Sequence, residues 1–298
     1  MTAVSCVLEV GCQLGEGPLW QHAEGALWWL DIRGRVLHRW QPETGARHDW
    51  PLHDLCGCFA LARDGRVILA MRSGLHDFNP QTGALHRIAH PEADLPGNRP
   101  NDGKCDRAGR FWFGTMQANF DDAGGGLPIT RLSGWIHRLD GDQSLRRFDG
   151  PFGIVNTFAW SPDDRVMYSA DTLAGELHAY DFDVAAGTIA NRRVFAAPEG
   201  HGLPDGSTID AEGHLWNARV NHGSLIRFSP DGRMEREIPL PVTRPTSCIF
   251  GGPDLRTLYI TSASDELTPE QQAAQPLAGH LFALRTEVPG LPETPFAG

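Results

Sequence analysis

A six-bladed all-β propeller is the fold class this 298-residue sequence predicts. Three observations predict it. A unit made of a tight turn and an apolar strand recurs six times, the recurrences fall at the length of one four-stranded blade, and no amphipathic helix longer than a turn or two interrupts them.

The six units are HAEGALWWL from His22, ARDGRVILA from Ala62, DRAGRFWFG from Asp106, SPDDRVMYS from Ser161, DAEGHLWNA from Asp210 and GPDLRTLYI from Gly252. In each, the Asp-, Gly- or Pro-rich part supplies hairpin-turn chemistry, and β-branched, aromatic or aliphatic residues follow as a strand. The first apolar strand residues are Leu27, Val67, Phe111, Val166, Leu215 and Leu258, which stand 40, 44, 55, 49 and 43 positions apart. After most of these strands comes a glycine or turn and then a second alternating stretch, as in GRVLHRWQPETG, SGLHDFNPQTG, GELHAYDFD and GSLIRFSPDG, which reads as the next strand of the blade. The N-terminal VSCVLEV is expected to complete the sheet containing the C-terminal GHLFALR, because closing the ring removes exposed sheet edges. The ring is expected to be one domain spanning residues 1–298, with Trp28, Trp29, Trp112, Trp160 and Trp216 in the core between blades.

Bulk properties exclude several functions. A net charge of −11, from 37 acidic and 26 basic residues without long runs, repels nucleic acid and anionic membranes, so a small neutral or weakly charged partner is expected. The N-terminus has no basic segment followed by a long apolar one, and no apolar run approaches the eighteen or so residues of a membrane span. A cytoplasmic monomer is expected. The six cysteines form no C-x-x-C pair; Cys56 and Cys58 share a strand face and could hold a soft metal, but two small core residues is the favoured reading. DDAGGGLPITRLSG, from Asp121, reads as a flexible lid over the channel or as a plain exposed loop.

The repeats also bring polar residues into register. Ten residues before Phe111, Val166 and Leu215 lie Asn101, Asn156 and Asp205, and eleven before Leu27 lies Glu16; the matching places in the other two blades are Gly57 and Cys248 or their neighbours. Innermost propeller strands line a central channel, so these oxygen-bearing side chains should converge on its axis. Pro100 pushes Arg99 into extended geometry, and Arg99 and Asn101, two apart on a strand, should project together into the channel. Asp102 and Lys104 should point the other way, as a structural ion pair or as backbone hydrogen-bond acceptors between blades. A guanidinium with five donors at a channel mouth suits substrate hydroxyl or carboxylate oxygens. The oxygen donors favour calcium, magnesium or manganese, while zinc or iron(II) could fill an open three-ligand site. His201, just before LPDG, is by default a solvent-exposed loop histidine. The chain carries no H-E-x-x-H, G-x-S-x-G, phosphate loop or dinucleotide fingerprint.

Five stretches, LGEGPLW, NRPNDGKCDRAGRFWFGTM, LPDGSTIDAEGHLW, TSCIFGGPDLRTLYIT and QPLAGHLF, occur in order over nearly the whole chain. Together they resemble the regucalcin and gluconolactonase (senescence-marker-protein-like) family of sugar lactonases. The resemblance implies hydrolysis of a pentono- or hexonolactone with one divalent cation. It also implies Glu16, Asn156 and Asp205 as metal ligands, Asp205 as the candidate catalytic base or a ligand only, and Arg99, Asn101 and Asn119 as substrate binders. Two departures stand out: VNTFAWS replaces the family's usual Ser-Asn-Gly pattern around Asn156, and Asn119 stands where some members carry an acid, so it can bond a hydroxyl but cannot act as a base. A phosphotriesterase-like or other lactone hydrolase on the same metal propeller, or a non-catalytic binding propeller, are the alternatives.

Overall fold

A computed structural model describes residues 3–121 and 124–298. Its strands form six four-stranded antiparallel sheets. The innermost strands are Gly15–Gln21, Cys56–Leu61, Asn98–Cys105, Val155–Trp160, Leu203–Ile209 and Pro245–Gly251, heading blades 1 to 6 in that order. Each touches the innermost strand of the next blade, and the sixth touches the first, so the ring is closed. Ser5–Leu8 pairs with Leu281–Arg285 as the outermost strand of blade 6, which is the closure the sequence predicts. Among the described residues one short α-helix, Pro269–Ala274, is capped by Thr268, whose side chain accepts the Gln271 N–H while the Gln271 side chain accepts the Thr268 N–H.

The recurring unit has a common physical basis. In DRAGRFW, the Asp106 carboxylate accepts the backbone N–H groups of Ala108 and Arg110 and the indole N–H of Trp112 at 2.8 Å. DAEGHLW repeats the arrangement, with Asp210 accepting from Glu212, His214 and, at 3.0 Å, Trp216. The turn aspartate thus satisfies the hairpin and anchors the strand that follows it. All five tryptophans named above are buried. Cys56 and Cys58 lie in the apolar core, and burial raises both thiols, so they are core residues rather than a metal pair.

The C-terminal tail crosses the channel end opposite the strand starts. Gly290 bridges Asp210 of blade 5 and Phe296 bridges Ala62 of blade 2, with the Phe296 N–H donating to Leu61 and the Ala297 N–H to Gly109. Phe296 is buried among Cys58, Ala60, Ile68, Phe111 and Phe113. Lys104, on the same end, lies 3.5 Å from Glu293 of the tail.

Candidate active site

All six innermost strands break register near their starts: between Glu16 and Leu19, Cys56 and Cys58, Pro100 and Gly103, Asn156 and Ala159, Pro204 and Ser207, and Pro245 and Ser247. A bulge unpairs a residue and bends the strand, so six of them at one level re-aim side chains toward the axis. At that level a cavity of about 160 Å³ is lined by Glu16, Arg99, Asn101, Asn119, Asn156 and Asp205, every site residue the sequence nominated. Gly57 of blade 2 contributes nothing, because a Cβ there would lie 2.2 Å from the Pro100 carbonyl oxygen. In blade 6 the register is corrected: Cys248 pairs with Ile260 beyond the bulge and is buried in the inter-blade core, leaving Thr246 at the bulge.

The strand starts are pinned from behind. Asp31, ending the second strand of blade 1, accepts the N–H groups of Gln13 (2.9 Å) and Leu14 (3.0 Å), two residues short of Glu16. Asp171 does the same in blade 4 for Gly153 (3.0 Å) and Ile154 (3.2 Å), ahead of Asn156. In blade 5, Arg219 donates to the carbonyls of His201 (2.8 Å) and Gly202 (2.7 Å), ahead of Asp205.

Around the cavity the side chains form one connected set. Arg99 is 3% exposed; it donates twice to Asn119 Oδ1, at 3.0 and 2.9 Å, and once to Asn101 Oδ1 at 3.0 Å. Asn101 Nδ2 donates to Asn156 Oδ1 at 3.0 Å, and Asn156 Nδ2 donates to Thr172 Oγ1 at 2.8 Å. Thr172 in turn donates to the carbonyl of Pro204, next to Asp205, at 2.8 Å. Thr157 takes the place of the glycine in the Ser-Asn-Gly pattern and holds a left-handed φ of 62°. For a β-branched residue that costs of order 1–3 kcal/mol. Its N–H donates to Asp102 (2.8 Å) and its hydroxyl to the carbonyl of Asp205 (2.6 Å), which ties blades 3, 4 and 5 together at the level of the cavity.

Two buried acids, Glu16 and Asp205, meet here with the half-buried Asp102 nearby. Burial, then the charges of Asp205 and Asp102, push the Glu16 carboxyl well above its usual range. Burial, then Asp102, push Asp205 up to about 8, with Arg244 working the other way. Asp102 itself is raised by burial. Desolvated like charges at one place favour a proton or a cation between them. Burial pulls Arg99 down to about 10, against the charge of Glu16.

Asp102 behaves as expected, accepting the Thr157 N–H across blades, whereas Lys104 is a donor, pairing with Glu293 of the tail and donating to the Ser207 carbonyl. His201 does not line the cavity; its imidazole faces Glu237. Asp122 and Ala123 of the lid stretch lie outside the described residues. Asn119 and Phe120, just ahead of that stretch, line the cavity, and Gln117 Oε1 holds the stretch's later part by accepting the N–H groups of Thr130 (2.9 Å) and Arg131 (3.0 Å). Sequence reasoning missed Arg244 and Asp265, which also line the cavity and pair at 3.2 Å. A signal was present, since Arg244-Pro245 repeats the Arg99-Pro100 dipeptide, and Pro245 pairs with Ser262 as Pro100 pairs with Thr115.

A closed six-bladed ring with a polar, acid-rich cavity at the strand starts defines a propeller with a candidate site on its axis. Residues 14–264 match the family model described as the SMP-30/Gluconolactonase/LRE-like region, and the chain belongs to that family. It is 39% identical to the 6-deoxy-6-sulfogluconolactonase of Pseudomonas putida, over 99% of both chains. It is 35% identical to regucalcin of Xenopus laevis, over 99% of this chain and 98% of that one. The crystal structure of regucalcin from Agrobacterium tumefaciens, described as a calcium-binding protein, superposes with a TM-score of 0.90 at 32% identity, covering 98% of this chain and 96% of that one. Sugar lactonases are therefore among its relatives, and no described helix is long and apolar enough to cross a membrane.

Proposed function

We propose that this protein hydrolyses a pentono- or hexonolactone to its aldonic acid, with one divalent cation held by Glu16, Asn156 and Asp205. The observation that carries the reading is the convergence of these three side chains with Arg99, Asn101 and Asn119 on one cavity. At about 160 Å³ it lies below the roughly 300–1,000 Å³ of drug-sized pockets and suits a single small sugar ring. The donor set fits a hard cation: two carboxylates and an amide oxygen, the acids buried and mutually repelling until a positive charge joins them. Calcium, magnesium and manganese suit these oxygens best, and zinc or iron(II) can occupy a three-ligand site that leaves places for water and substrate. When bound, the cation would supply Lewis-acid polarisation of the lactone carbonyl.

The chain's own residues do the rest. Asp205, whose carboxylate the cation's charge keeps ionised, takes a proton from the attacking water. The water oxygen bonds the carbonyl carbon, the ring C–O bond breaks, and the ring oxygen leaves as the new hydroxyl of the open acid after receiving a proton. Arg99, Asn101 and Asn119 orient the sugar hydroxyls, the amides offering both donors and acceptors. The relative named for a sulfonated lactone makes an anionic substituent worth testing. A pH-indicator assay over arabinono-, xylono-, galactono-, glucono- and 6-sulfogluconolactone, with chelator-stripped and metal-restored protein, should show hydrolysis that returns only with the cation. Hydrolysis of a paraoxon-type ester in place of every lactone, or full activity after stripping, would overturn the reading.

A further inference from the structure

Outside the cavity, at the rim of blade 5, three ligand-bearing side chains converge. His201 precedes the innermost strand Leu203–Ile209, His222 sits in the turn between Leu215–Val220 and Ser224–Phe228, and Glu237 comes from the outer strand Met234–Pro239. One ligand atom from each lies within 4.8 Å of the other two. His222 Nε2 is 2.8 Å from Glu237 Oε1, and His201 Nδ1 is 3.2 Å from Glu237 Oε2. Zinc bound tetrahedrally at about 2.0–2.1 Å from nitrogen and oxygen spaces its ligand atoms about 3.4 Å apart, so small side-chain adjustments would admit it.

Two further observations separate this cluster from an ordinary ion pair. His201 Nδ1 is shielded from solvent and points into the cluster, 3.2 Å from Glu237 Oε2, so the imidazole already presents a ligand atom to the place a cation would take. The scaffold beneath is also firm. Arg219 holds the carbonyls of His201 and Gly202 and donates to Asn217 Oδ1 at 3.0 Å, while Asn217 Nδ2 donates to the carbonyl of Asp205 at 2.8 Å.

We propose that His201, His222 and Glu237 form a second divalent-metal site, selective for zinc-class ions, with its fourth position open to solvent beside His222. The donor chemistry separates it from the axial site: two imidazoles and one carboxylate favour zinc, whereas carboxylates and an amide favour calcium, magnesium or manganese. Metal at the rim fixes the segment that runs from His201 into Asp205, through contacts already linked by Arg219 and Asn217. The site stands independently of the lactonase reading.

The test uses chelator-stripped full-length protein. Crystals soaked in zinc, with data collected on both sides of the zinc edge, should show an anomalous peak between His201, His222 and Glu237 in the wild type and none there in His222→Ala. The axial site is resolved by its place in the map, so its occupancy does not enter. In solution, titration against a colorimetric zinc chelator should show uptake falling by one equivalent in His222→Ala and again in Glu237→Gln taken alone. The His222 side chain is about a third exposed, so its removal spares the core. No rim peak in the wild type, or equal zinc uptake by wild type and both variants, would reduce the cluster to an ion pair and overturn the proposal.

Discussion

At 8% exposure and beside two other acids, Asp205 can keep its charge only with help, and the same position lets it hold a cation or accept a proton. Asp205→Asn separates the two jobs, because the amide keeps an oxygen of nearly the same shape and loses the proton acceptor. We expect this variant to retain metal binding by calorimetry and to lose roughly 100-fold in turnover, the scale of general-base catalysis. Activity restored by excess metal would make Asp205 a ligand only. Arg99 is two residues from Asn101 and hydrogen-bonded to it, yet its place in the account is with the substrate. Arg99→Ala should lower kcat/KM by about 10- to 100-fold, the worth of one or two hydrogen bonds from a charged donor, with metal affinity changed only a few-fold. A collapse of metal affinity would reassign Arg99 to holding the ligands. These residues were legible because Asn, Asp and Glu recur ten or eleven positions before the strands of the turn-strand units, and Arg99 shares a strand face with Asn101. The acid cluster was not, since Asp102, read as facing away, acts on Glu16 and Asp205 through space, and only the fold sets those separations.

The bulges are the element-level device that aims the site. A regular strand alternates its side chains between two faces; the break after Pro100 instead leaves Asn101 at the cavity with Asp102 accepting a hydrogen bond from the neighbouring blade. The strand units and their spacing were readable from turn chemistry and apolar runs, and so was the closure by Ser5–Leu8. Bulges were not readable, because they depend on pairing register and no residue type dictates them. The C-terminal tail was missed for a similar reason: EVPGLPETPFAG has little strand pattern, and Phe296 is placed by the groove it fills. Phe296→Ala should cost about 3–5 kcal/mol, read as a lowered unfolding midpoint, while lactone hydrolysis by the folded variant persists because the tail lies at the other end of the channel. An unchanged midpoint would show that the tail adds nothing to the ring's stability.

For the whole molecule, the central claim is that a closed ring brings Glu16, Asn156 and Asp205, which stand in blades 1, 4 and 5, to one point on its axis. Each blade alone offers at most one of the proposed ligands, held by its own pinned strand start, so the proposed divalent site exists only when the ring is shut. Convergence of this kind follows from a period found in the sequence, and it is why residues so distant along the chain could be nominated together. The direct measurement is an anomalous difference map from crystals soaked in manganese. A single axial peak within coordination distance of Glu16, Asn156 and Asp205 together is the result predicted. No axial peak at saturating manganese, or an axial peak that one of the three does not reach, would contradict the account.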